Sequence, residues 1–380
     1  MTNRPETDHS PPGNRDESDP SRRPSEHPEP AASGPVGHPD DLRDQSPRDR
    51  ELVINLRARA ALLRRVRRFF DDRGFTEVQP PCLSRDQIVD AHIDPIEIAG
   101  SALRLPAGVA APRYYLQTSP ELAMKRLLTL GIGSIYSLGP VFRGGERSVR
   151  HNVEFTMLEW YAVGAGFDEV IDQTIAMVRE VLGIGPPRIL SYRQLFRDQL
   201  GIDPIDCPPQ ALCDLVAEID EELARGFLEP AIGAGDAELL ADARDAMLDV
   251  LLTETIEPRL GDTSLVIRNY PLSQAALARP SPDDPQTAER FEWMLGGLEL
   301  ANGYHELLDA DELRRRNLLN NRKRVATGRQ PLPVDSSLLA AMRRGLPACS
   351  GVALGFDRLV MLAQGTKDIA DVIPLTIEEA

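Results

Sequence analysis

The segment Phe142–Tyr161, FRGGERSVRHNVEFTMLEWY, constrains the fold of this 380-residue chain more than any other stretch. Residues typical of strands precede it in SIYSLGPV and occupy its end in EFTMLEWY, and a polar, glycine-bearing stretch separates them. This pattern predicts a β-hairpin with a cationic tip, since Arg143 and His151 are among the polar residues. A guanidinium at a strand end binds phosphate in a bidentate manner, and Phe155 on the return strand offers a face for a purine. The hairpin therefore predicts a nucleoside triphosphate site; the alternative is an exposed hairpin with solvated arginines.

A second block, Gly351–Leu362 with the sequence GVALGFDRLVML, predicts a strand that runs into a helix at Asp357. Its glycines, Gly351 and Gly355, allow the backbone to approach a nucleotide closely. The guanidinium of Arg358 can lie over an adenine ring or hold the terminal phosphate. A glycine-rich strand alone is weak support, but together with the hairpin it strengthens the prediction of a nucleotide site.

An acidic block, FEWMLGGLELANGYHEL at Phe291–Leu307, carries Glu292, Glu299 and Glu306 at intervals of seven residues. A Gly-Gly pair inside it argues against a helix and favours two strands joined by a turn. Carboxylates brought together in this way need a cation. Magnesium that bridges ATP phosphates would supply one, with few direct carboxylate ligands. The alternative is an acidic face exposed to solvent.

The wording of three segments resembles the signature motifs of the class II aminoacyl-tRNA synthetases, in their lysyl form. The hairpin resembles motif 2, Gly351–Leu362 resembles motif 3, and RGFTEVQPP at Arg73–Pro81 resembles the looser motif 1, which follows a predicted helix at Ala60–Phe70. The resemblance implies an α/β (α+β) fold of the class II catalytic type, with an antiparallel sheet flanked by helices. Through motif 1 it also implies a homodimer.

The resemblance implies roles residue by residue. It makes Arg143, His151 and Arg358 the catalytic groups, which hold the ATP phosphates, and Glu292 and Glu299 the acids that bind magnesium. The implied ATP site comprises Arg143, Gly144, Gly145, Glu146, His151, Asn152, Phe155, Glu299, Leu300, Gly355 and Arg358. The implied amino-acid pocket comprises Ser119, Pro120, Glu121, Glu159, Tyr161, Ala301, Asn302, Tyr304, Glu306 and Ala353.

The number of acids in the implied pocket agrees with lysine as the substrate, because a buried ammonium without a partner costs several kcal/mol. Glu121 has a simpler explanation as well, since a carboxylate is favoured in the first turn of the helix predicted within Tyr114–Leu130. Where the synthetases have glycine, this chain has Ala301 and Ala353. A methyl group at the pocket floor discriminates by about 1 to 3 kcal/mol, which predicts a modest preference for β-lysine.

Composition bears on the domains and partners. Residues 1–46 are rich in Pro, Ser, Asp and Arg, which predicts a disordered tail instead of an anticodon-binding barrel. Residues 47–380 then form the catalytic domain, with a helical insertion at about 166–260. The formal charge of −16 disfavours tRNA as a partner. Neither a signal peptide nor a membrane span is evident, and four cysteines without a CxxC pair suit a cytoplasmic protein.

Without an anticodon domain, the chain most resembles the stand-alone paralogues of lysyl-tRNA synthetase that use ATP to transfer (R)-β-lysine to a lysine of elongation factor P. One alternative is a truncated synthetase relative that charges tRNA or another amine, and another is an inactive regulator that binds amino acid or nucleotide. Two departures from the synthetase pattern stand in the hairpin. Gly144 and Gly145 replace the usual Asn-Glu, with Glu146 following, and Val153 replaces a proline, which would loosen the hairpin.

Overall fold

The computed structural model describes residues 46–106 and 108–380, so the predicted disordered segment 1–46 lies outside the described residues except for Ser46. Its strands are β1 (Thr76–Glu77), β2 (Leu83–Ser84), β3 (Glu97–Ala99), β4 (Arg113–Leu116), β5 (Ile135–Phe142), β6 (Glu154–Val163), β7 (Arg188–Ser191), β8 (Leu265–Arg268), β9 (Arg290–Leu295), β10 (Leu298–His305) and β11 (Cys349–Gly355). Its α-helices are α1 (Pro47–Asp71), α2 (Glu121–Leu128), α3 (Phe167–Leu182), α4 (Tyr192–Leu200), α5 (Pro209–Ala217), α6 (Glu221–Ala234), α7 (Ala237–Val250), α8 (Glu257–Leu260), α9 (Ala310–Ala326), α10 (Ser337–Gly345) and α11 (Phe356–Gln364).

An eight-stranded sheet in the order β1-β5-β6-β11-β10-β9-β8-β7 organises the fold. The five pairings from β5 to β8 are antiparallel, but β1 pairs with β5 and β7 pairs with β8 in parallel. The expectation of an antiparallel sheet is therefore corrected to a mixed one. A parallel pair requires a long crossover connection, and helices α4 to α8 supply it between β7 and β8. A smaller sheet has the order β2-β4-β3.

The predicted hairpin is formed by β5 and β6, with Phe142 opposite Glu154 at its loop end. The strand ladder continues into the connecting loop, because the backbone N–H of Arg143 donates to the carbonyl oxygen of Val153 at 2.9 Å. Val153 in place of proline therefore leaves the pairing of the two strands intact.

The main hydrophobic core lies between one face of the large sheet and helices α1, α3 and α11. The apolar stripe predicted within Ala60–Phe70 is on this side, and it belongs to a longer helix than the pattern indicated, since α1 begins at Pro47. The ring of Phe70 stacks on Tyr136 at 4.8 Å and lies 5.2 Å from Trp160. These three side chains are fully buried, so α1 is fixed firmly against β5 and β6.

A second core joins helices α4 to α7 to β8, through Leu265 and Ile267, and to Met294 of β9. A π-helical turn at Leu251–Ile256 links α7 to α8. Helix α3 packs in the main core, so the helical unit with its own core begins after it, at β7. Among the helices of the described residues, none is both long and apolar enough to cross a membrane.

Candidate active site

The candidate active site lies on the face of the sheet opposite the main core. In an antiparallel pair, directly opposed residues share a face. Glu159 of β6 opposes Ala353 of β11, and Tyr161 opposes Gly351. Gly351 in turn opposes Tyr304 of β10. Strand alternation therefore places these four predicted pocket residues, together with Gly351, on one surface.

A β-bulge in β10 adds the acids of the second strand pair to the same surface. Glu299 opposes Met294 of β9, and the register shifts before Ala301. Asn302 then opposes Glu292. Met294 and Glu292 are two positions apart in β9 and therefore share a face. Their partners, Glu299 and Asn302, also share that face, although they are three positions apart in β10, because the bulge adds one residue.

Because of the same bulge, two predicted site residues face the main core and not the pocket. Ala301 and Leu300 are each 1% exposed and pack with the core residues. The prediction that the methyl group of Ala301 lines the pocket floor is therefore wrong, and Leu300 can reach a nucleotide only through its backbone. Ala353 is on the pocket face, opposite Glu159 and Asn302.

Arg143 follows the last residue of β5 and lies beside Phe155. The guanidinium carbon is 5.1 Å from the centroid of the Phe155 ring, which is within the range of a cation–π contact. One guanidinium nitrogen is 3.6 Å from Oε1 of Glu146. The structure thus brings the predicted phosphate-binding cation and the predicted purine face together, with Glu146 at their edge.

The two glycines of the hairpin loop adopt the conformations that the loop requires. Gly145 has a φ of 78°, in the left-handed region, where a glycine is favoured. The backbone N–H of Gly144 donates to the carbonyl oxygen of Asp94 at 2.7 Å. The carboxylate of Asp94 accepts hydrogen bonds from Arg324 at 2.8 Å and Arg329 at 3.1 Å. The loop is therefore braced from the outside by α9 and the turn after it.

Arg358 of α11 contacts His151 of the hairpin loop, since Nη2 of Arg358 lies 2.7 Å from Nε2 of His151. A guanidinium can only donate, so Nε2 is the acceptor and the imidazole proton is on Nδ1. Nδ1 is 2.8 Å from the hydroxyl oxygen of Ser148, to which it donates. Burial, followed by the positive charge of Arg358, lowers the pKa of His151, which keeps the ring neutral at pH 7. In this arrangement His151 orients Arg358.

Both arginines act on the same acid. Nη1 of Arg358 donates to the carbonyl oxygen of Glu299 at 2.6 Å. Burial and then the charge of Glu292 raise the pKa of Glu299, whereas the positive charges of Arg358 and Arg143 oppose this increase. Two guanidinium groups from distant parts of the sequence therefore share one electrostatic environment, as a common nucleotide requires.

Asn152 differs from its predicted role at the nucleotide. The residue is 3% exposed, and its Nδ2 donates to the carbonyl oxygen of Glu154 at 2.8 Å. Its Oδ1 accepts from the backbone N–H of Ile377 at 3.2 Å. A further bond, from the N–H of Ile369 to the carbonyl oxygen of Val149 at 2.9 Å, joins the same two segments. The amide of Asn152 thus connects the hairpin loop to the C-terminal segment after α11 and does not face the nucleotide cleft.

The amino-acid pocket begins with Glu159, which is 2% exposed. The hydroxyl groups of Ser119 and Tyr161 donate to its two oxygens at 2.6 Å and 2.7 Å. Burial, followed by the charge of Glu121, raises the pKa of Glu159 to about 8. Pro120 precedes the first residue of α2 and positions Glu121 at the start of that helix.

Glu121 and Glu306 face each other across the ammonium group of Lys125, one helical turn beyond Glu121. Nζ of Lys125 is 2.5 Å from Oε1 of Glu121 and 2.5 Å from Oε2 of Glu306. Burial alone would lower the pKa of Lys125, but the two carboxylates raise it above its ordinary value. Burial raises the pKa of Glu306 to about 7 in spite of the charge on Lys125.

Gly351 is required by the packing of this pocket. A Cβ atom at position 351 would lie 2.4 Å from Oε1 of Glu306 and 2.4 Å from a ring carbon of Tyr161. Both distances are far below van der Waals contact. The glycine therefore lets Glu306 and Tyr161 lie flat against β11.

Asn302 and Glu292 connect the pocket to the predicted metal site. Nδ2 of Asn302 donates to Oε1 of Glu292 at 3.3 Å, and no donor among the described residues reaches its buried Oδ1. A buried acceptor without a partner is costly, so Oδ1 fits a donor on a bound substrate. Glu292 also accepts from the hydroxyl of Tyr270 at 2.7 Å and forms an ion pair with Arg290.

The acids at this end of the site could bind magnesium only if phosphate oxygens and water supplied the remaining ligands. The described residues contain no group of three or more His, Cys, Asp or Glu side chains that could hold a metal ion by themselves. Burial and then the charges of Glu292 and Glu299 raise the pKa of Glu257 to about 7, so the three acids repel one another. Magnesium takes few carboxylates and keeps several waters, which suits Glu299 and Glu292.

Sequence reasoning missed several residues that shape the site. Lys125 and Arg290 supply the cations beside the pocket acids, and Glu257 adds an acid after the π-helical turn. Arg59 of α1 forms an ion pair with Asp357 and donates to the hydroxyl of Thr156 at 2.7 Å. Only Lys125 had a local signal, namely its spacing of four residues from Glu121 on one helix.

Comparison with known proteins agrees with this geometry. Residues 45–378 match the family model described as tRNA synthetases class II (D, K and N). The chain is 42% identical over 329 residues to a protein from Klebsiella pneumoniae subsp. pneumoniae named Elongation factor P--(R)-beta-lysine ligase. A protein of the same name from Salmonella gallinarum has the same identity over the same length. Each alignment covers 86% of this chain and 96% of the relative.

Proposed function

Because the chain belongs to the class II tRNA synthetase family, we propose that it activates (R)-β-lysine, or lysine, as an adenylate and transfers it to a lysine side chain of elongation factor P. The chain is then an ATP-dependent ligase, with residues 47–380 as its catalytic domain. One observation carries the proposal: the nucleotide cleft and the acid-lined pocket share a surface, since Phe155 and Glu159 lie on the same face of β6. The names of the relatives support elongation factor P as the acceptor.

The first step is attack of the amino-acid carboxylate on the α-phosphorus of ATP, which releases pyrophosphate. A carboxylate with a pKa of about 3.5 is already ionised at neutral pH, so this step needs no general base. Catalysis then depends on position and on neutralising the charge that develops on phosphate. In this proposal Arg143 binds the α-phosphate and Phe155 packs against the adenine, which their contact supports. Arg358, which His151 orients, binds the γ-phosphate.

Glu292 and Glu299 would hold magnesium, which neutralises phosphate oxygens when it is bound. The protein's own part is to keep these carboxylates close to the arginines. Arg290 and Tyr270 fix one side of Glu292. The backbone contact of Arg358 fixes β10 at Glu299.

The acids of the pocket favour a substrate with two ammonium groups. Glu159 and Glu306 are buried at 2% and 1% exposure, and burial raises the pKa of each. A neighbouring ammonium would lower both pKa values, so each carboxylate becomes ionised as the substrate binds. The methyl group of Ala353 lies on the same face and narrows the floor. We assign to it the modest preference for the β-amino acid, worth about 1 to 3 kcal/mol.

In the second step the acceptor protein supplies the nucleophile. Its lysine amine, once deprotonated, attacks the adenylate carbonyl carbon and forms an amide. The carbon–oxygen bond to AMP breaks, AMP leaves with its electron pair, and one further proton of the attacking amine passes to solvent. A homodimer through α1 and β1 and a cytoplasmic location complete the proposal. All four cysteines of the chain are free thiols, which suits a reducing compartment.

Two measurements test the proposal. Pyrophosphate exchange with α-lysine and with (R)-β-lysine tests adenylate formation, and exchange with neither would contradict it. Intact-mass analysis of elongation factor P after incubation with enzyme, ATP and amino acid tests the acceptor. We expect a mass increase by one lysyl group, absent with Glu306→Gln. An unchanged mass together with charged tRNA would favour the truncated synthetase instead.

A further inference from the structure

Lys125 stands apart from the predicted pocket because it is a cation in a site built to bind cations. Its side chain is 3% exposed, and those of Glu121 and Glu306 are 10% and 1% exposed. Its ammonium lies 5.7 Å from the ring centroid of Tyr161, on the pocket face of β6. The ion pairs are therefore part of the pocket wall and not of the protein surface.

The charges in this wall can be counted. Three carboxylates, Glu121, Glu159 and Glu306, surround one resident ammonium, that of Lys125. When all three carboxylates are ionised, three negative charges minus one positive charge leave room for two positive charges from a substrate. Lysine and β-lysine each bring two ammonium groups, while their carboxylate reacts at the nucleotide, so the count balances for an amino acid with two ammonium groups.

Without Lys125 the count would change in a predictable direction. Two buried carboxylates that face each other cannot both stay ionised, so one of them would take up a proton. At neutral pH the pocket would then have one ionised carboxylate fewer to bind the substrate's ammonium groups. That carboxylate would become ionised again at higher pH, once the shared proton is lost.

We propose that Lys125 determines amino-acid specificity by favouring the ionised forms of both Glu121 and Glu306, so that the pocket selects a substrate with two ammonium groups. The proposal rests on the proposed function, because it assumes that an amino acid binds against these acids. It makes Lys125 a positioning residue that acts on the substrate through its two carboxylate partners.

Other titratable groups also face this cluster and must be included in any pH experiment. Tyr161 and Glu159 face it from β6, and Cys349 faces it from β11. Tyr304 faces it from β10. Burial raises the pKa of Tyr161, Cys349 and Tyr304, so these groups stay neutral near pH 7. Of these neighbours, Glu159 is the one whose pKa, about 8, overlaps the measured range.

A purely structural role is the competing explanation, since Lys125 also ties α2 to the segment after β10. The experiment therefore compares lysine with norleucine, which lacks only the second ammonium. Pyrophosphate exchange is measured between about pH 6 and pH 8.5, a range in which an uncompensated buried carboxyl group titrates. The enzymes are the wild type, Lys125→Met, Lys125→Arg and Glu121→Gln/Lys125→Met, with the exposed Lys367→Met as the matched control.

For Lys125→Met we expect the ratio of kcat/KM for lysine to that for norleucine to fall about tenfold or more at neutral pH and to recover at the alkaline end. The acid limb of kcat/KM for lysine should move to higher pH by about one unit, while KM for ATP changes less than about twofold. Lys125→Arg should retain the wild-type limb. Lys367→Met should match the wild type throughout.

The double variant protects the test against a folding defect. It removes both charges of one ion pair, so it leaves no uncompensated carboxylate at position 121, and its acid limb should lie nearer to that of the wild type. Equal losses for lysine and norleucine at every pH, with an unmoved limb, would overturn the inference and leave the proposed function intact. Absence of exchange by the wild type would overturn both.

Discussion

The ion pair between Arg59 and Asp357 ties the first helix to the nucleotide cleft, and removing it should affect both stability and ATP binding. The side chains of Arg59 and Asp357 are 12% and 3% exposed. Arg59 also donates to the hydroxyl of Thr156, whose backbone N–H donates to Oδ2 of Asp357 at 2.7 Å. Since Thr156 follows Phe155 in sequence, the pair supports the ring that faces the adenine.

The magnitude follows from what Arg59→Met leaves behind. Asp357 would keep one donor, the N–H of Thr156, and lose its cation. Breaking a buried pair on one side costs about 3 to 5 kcal/mol. Burial already raises the pKa of Asp357 although Arg59 opposes this, so the variant's pKa should be higher still. The loss of stability should therefore be smallest below the pKa of an aspartate in the unfolded chain, should grow as the pH rises from there toward the raised pKa of Asp357, and should level off above it.

A double-mutant cycle measures this directly. Urea unfolding of the wild type, Arg59→Met, Asp357→Asn and Arg59→Met/Asp357→Asn should show a coupling energy above about 2 kcal/mol, because the double variant leaves no buried charge unpaired. KM for ATP should rise in Arg59→Met more than KM for lysine. A loss below about 1 kcal/mol in Arg59→Met, or additive single losses, would refute the reasoning.

Four further predictions concern the site. Gly351→Ala should lower kcat/KM for lysine about 100-fold in pyrophosphate exchange with little change in KM for ATP, because its Cβ would lie 2.4 Å from Glu306. For the wild type, kcat/KM for lysine should rise with pH up to about 8 as Glu306 and then Glu159 lose their protons, and Glu159→Gln should leave only the part of the rise near pH 7. In the free protein the raised pKa of Glu159 makes stability fall as pH rises from its unfolded value toward 8, and Glu159→Gln should remove this loss, as thermal unfolding at several pH values would show. Asn152→Ala should raise KM for ATP and speed amide exchange at Ile377, and unchanged exchange there would contradict a bracing role.

The sequence predicted those parts of the fold that local patterns determine. The hairpin of β5 and β6, the turn between β9 and β10, and the passage from β11 into α11 follow from strand alternation and glycine placement. The parallel pairing of β1 with β5 and of β7 with β8 did not follow, because it depends on crossovers that no local pattern encodes. Period-two alternation also breaks at the bulge in β10, so Ala301, which the resemblance placed in the pocket, lies on the core face.

The site itself was predictable where a motif fixed it and unpredictable where charge partners come from far away in the chain. Arg143 lies beside Phe155, and the charges of Arg143 and Arg358 both act on Glu299, in keeping with the motifs. Arg59 lies 298 positions from Asp357, and nothing in a single sequence links two such residues. Lys125 carried a helical spacing to Glu121, but its second partner, Glu306, follows β10 in a distant part of the chain.

The opposed faces of the sheet explain how the pocket can hold acids that are unfavourable in the free protein. In β6 an acid on the pocket face alternates with a large apolar residue on the core face, as Glu159 and Trp160 show. The buried apolar face holds the strands in place, so the acids cannot move away from one another when no substrate is present. This proximity and burial raise the pKa values of Glu159 and Glu306, so the free protein binds protons at these acids. A substrate with two ammonium groups releases those protons when it binds. A substrate with one ammonium group releases fewer and leaves a carboxyl group without a charged partner. The rigidity of the core is thus what allows the pocket to discriminate by charge.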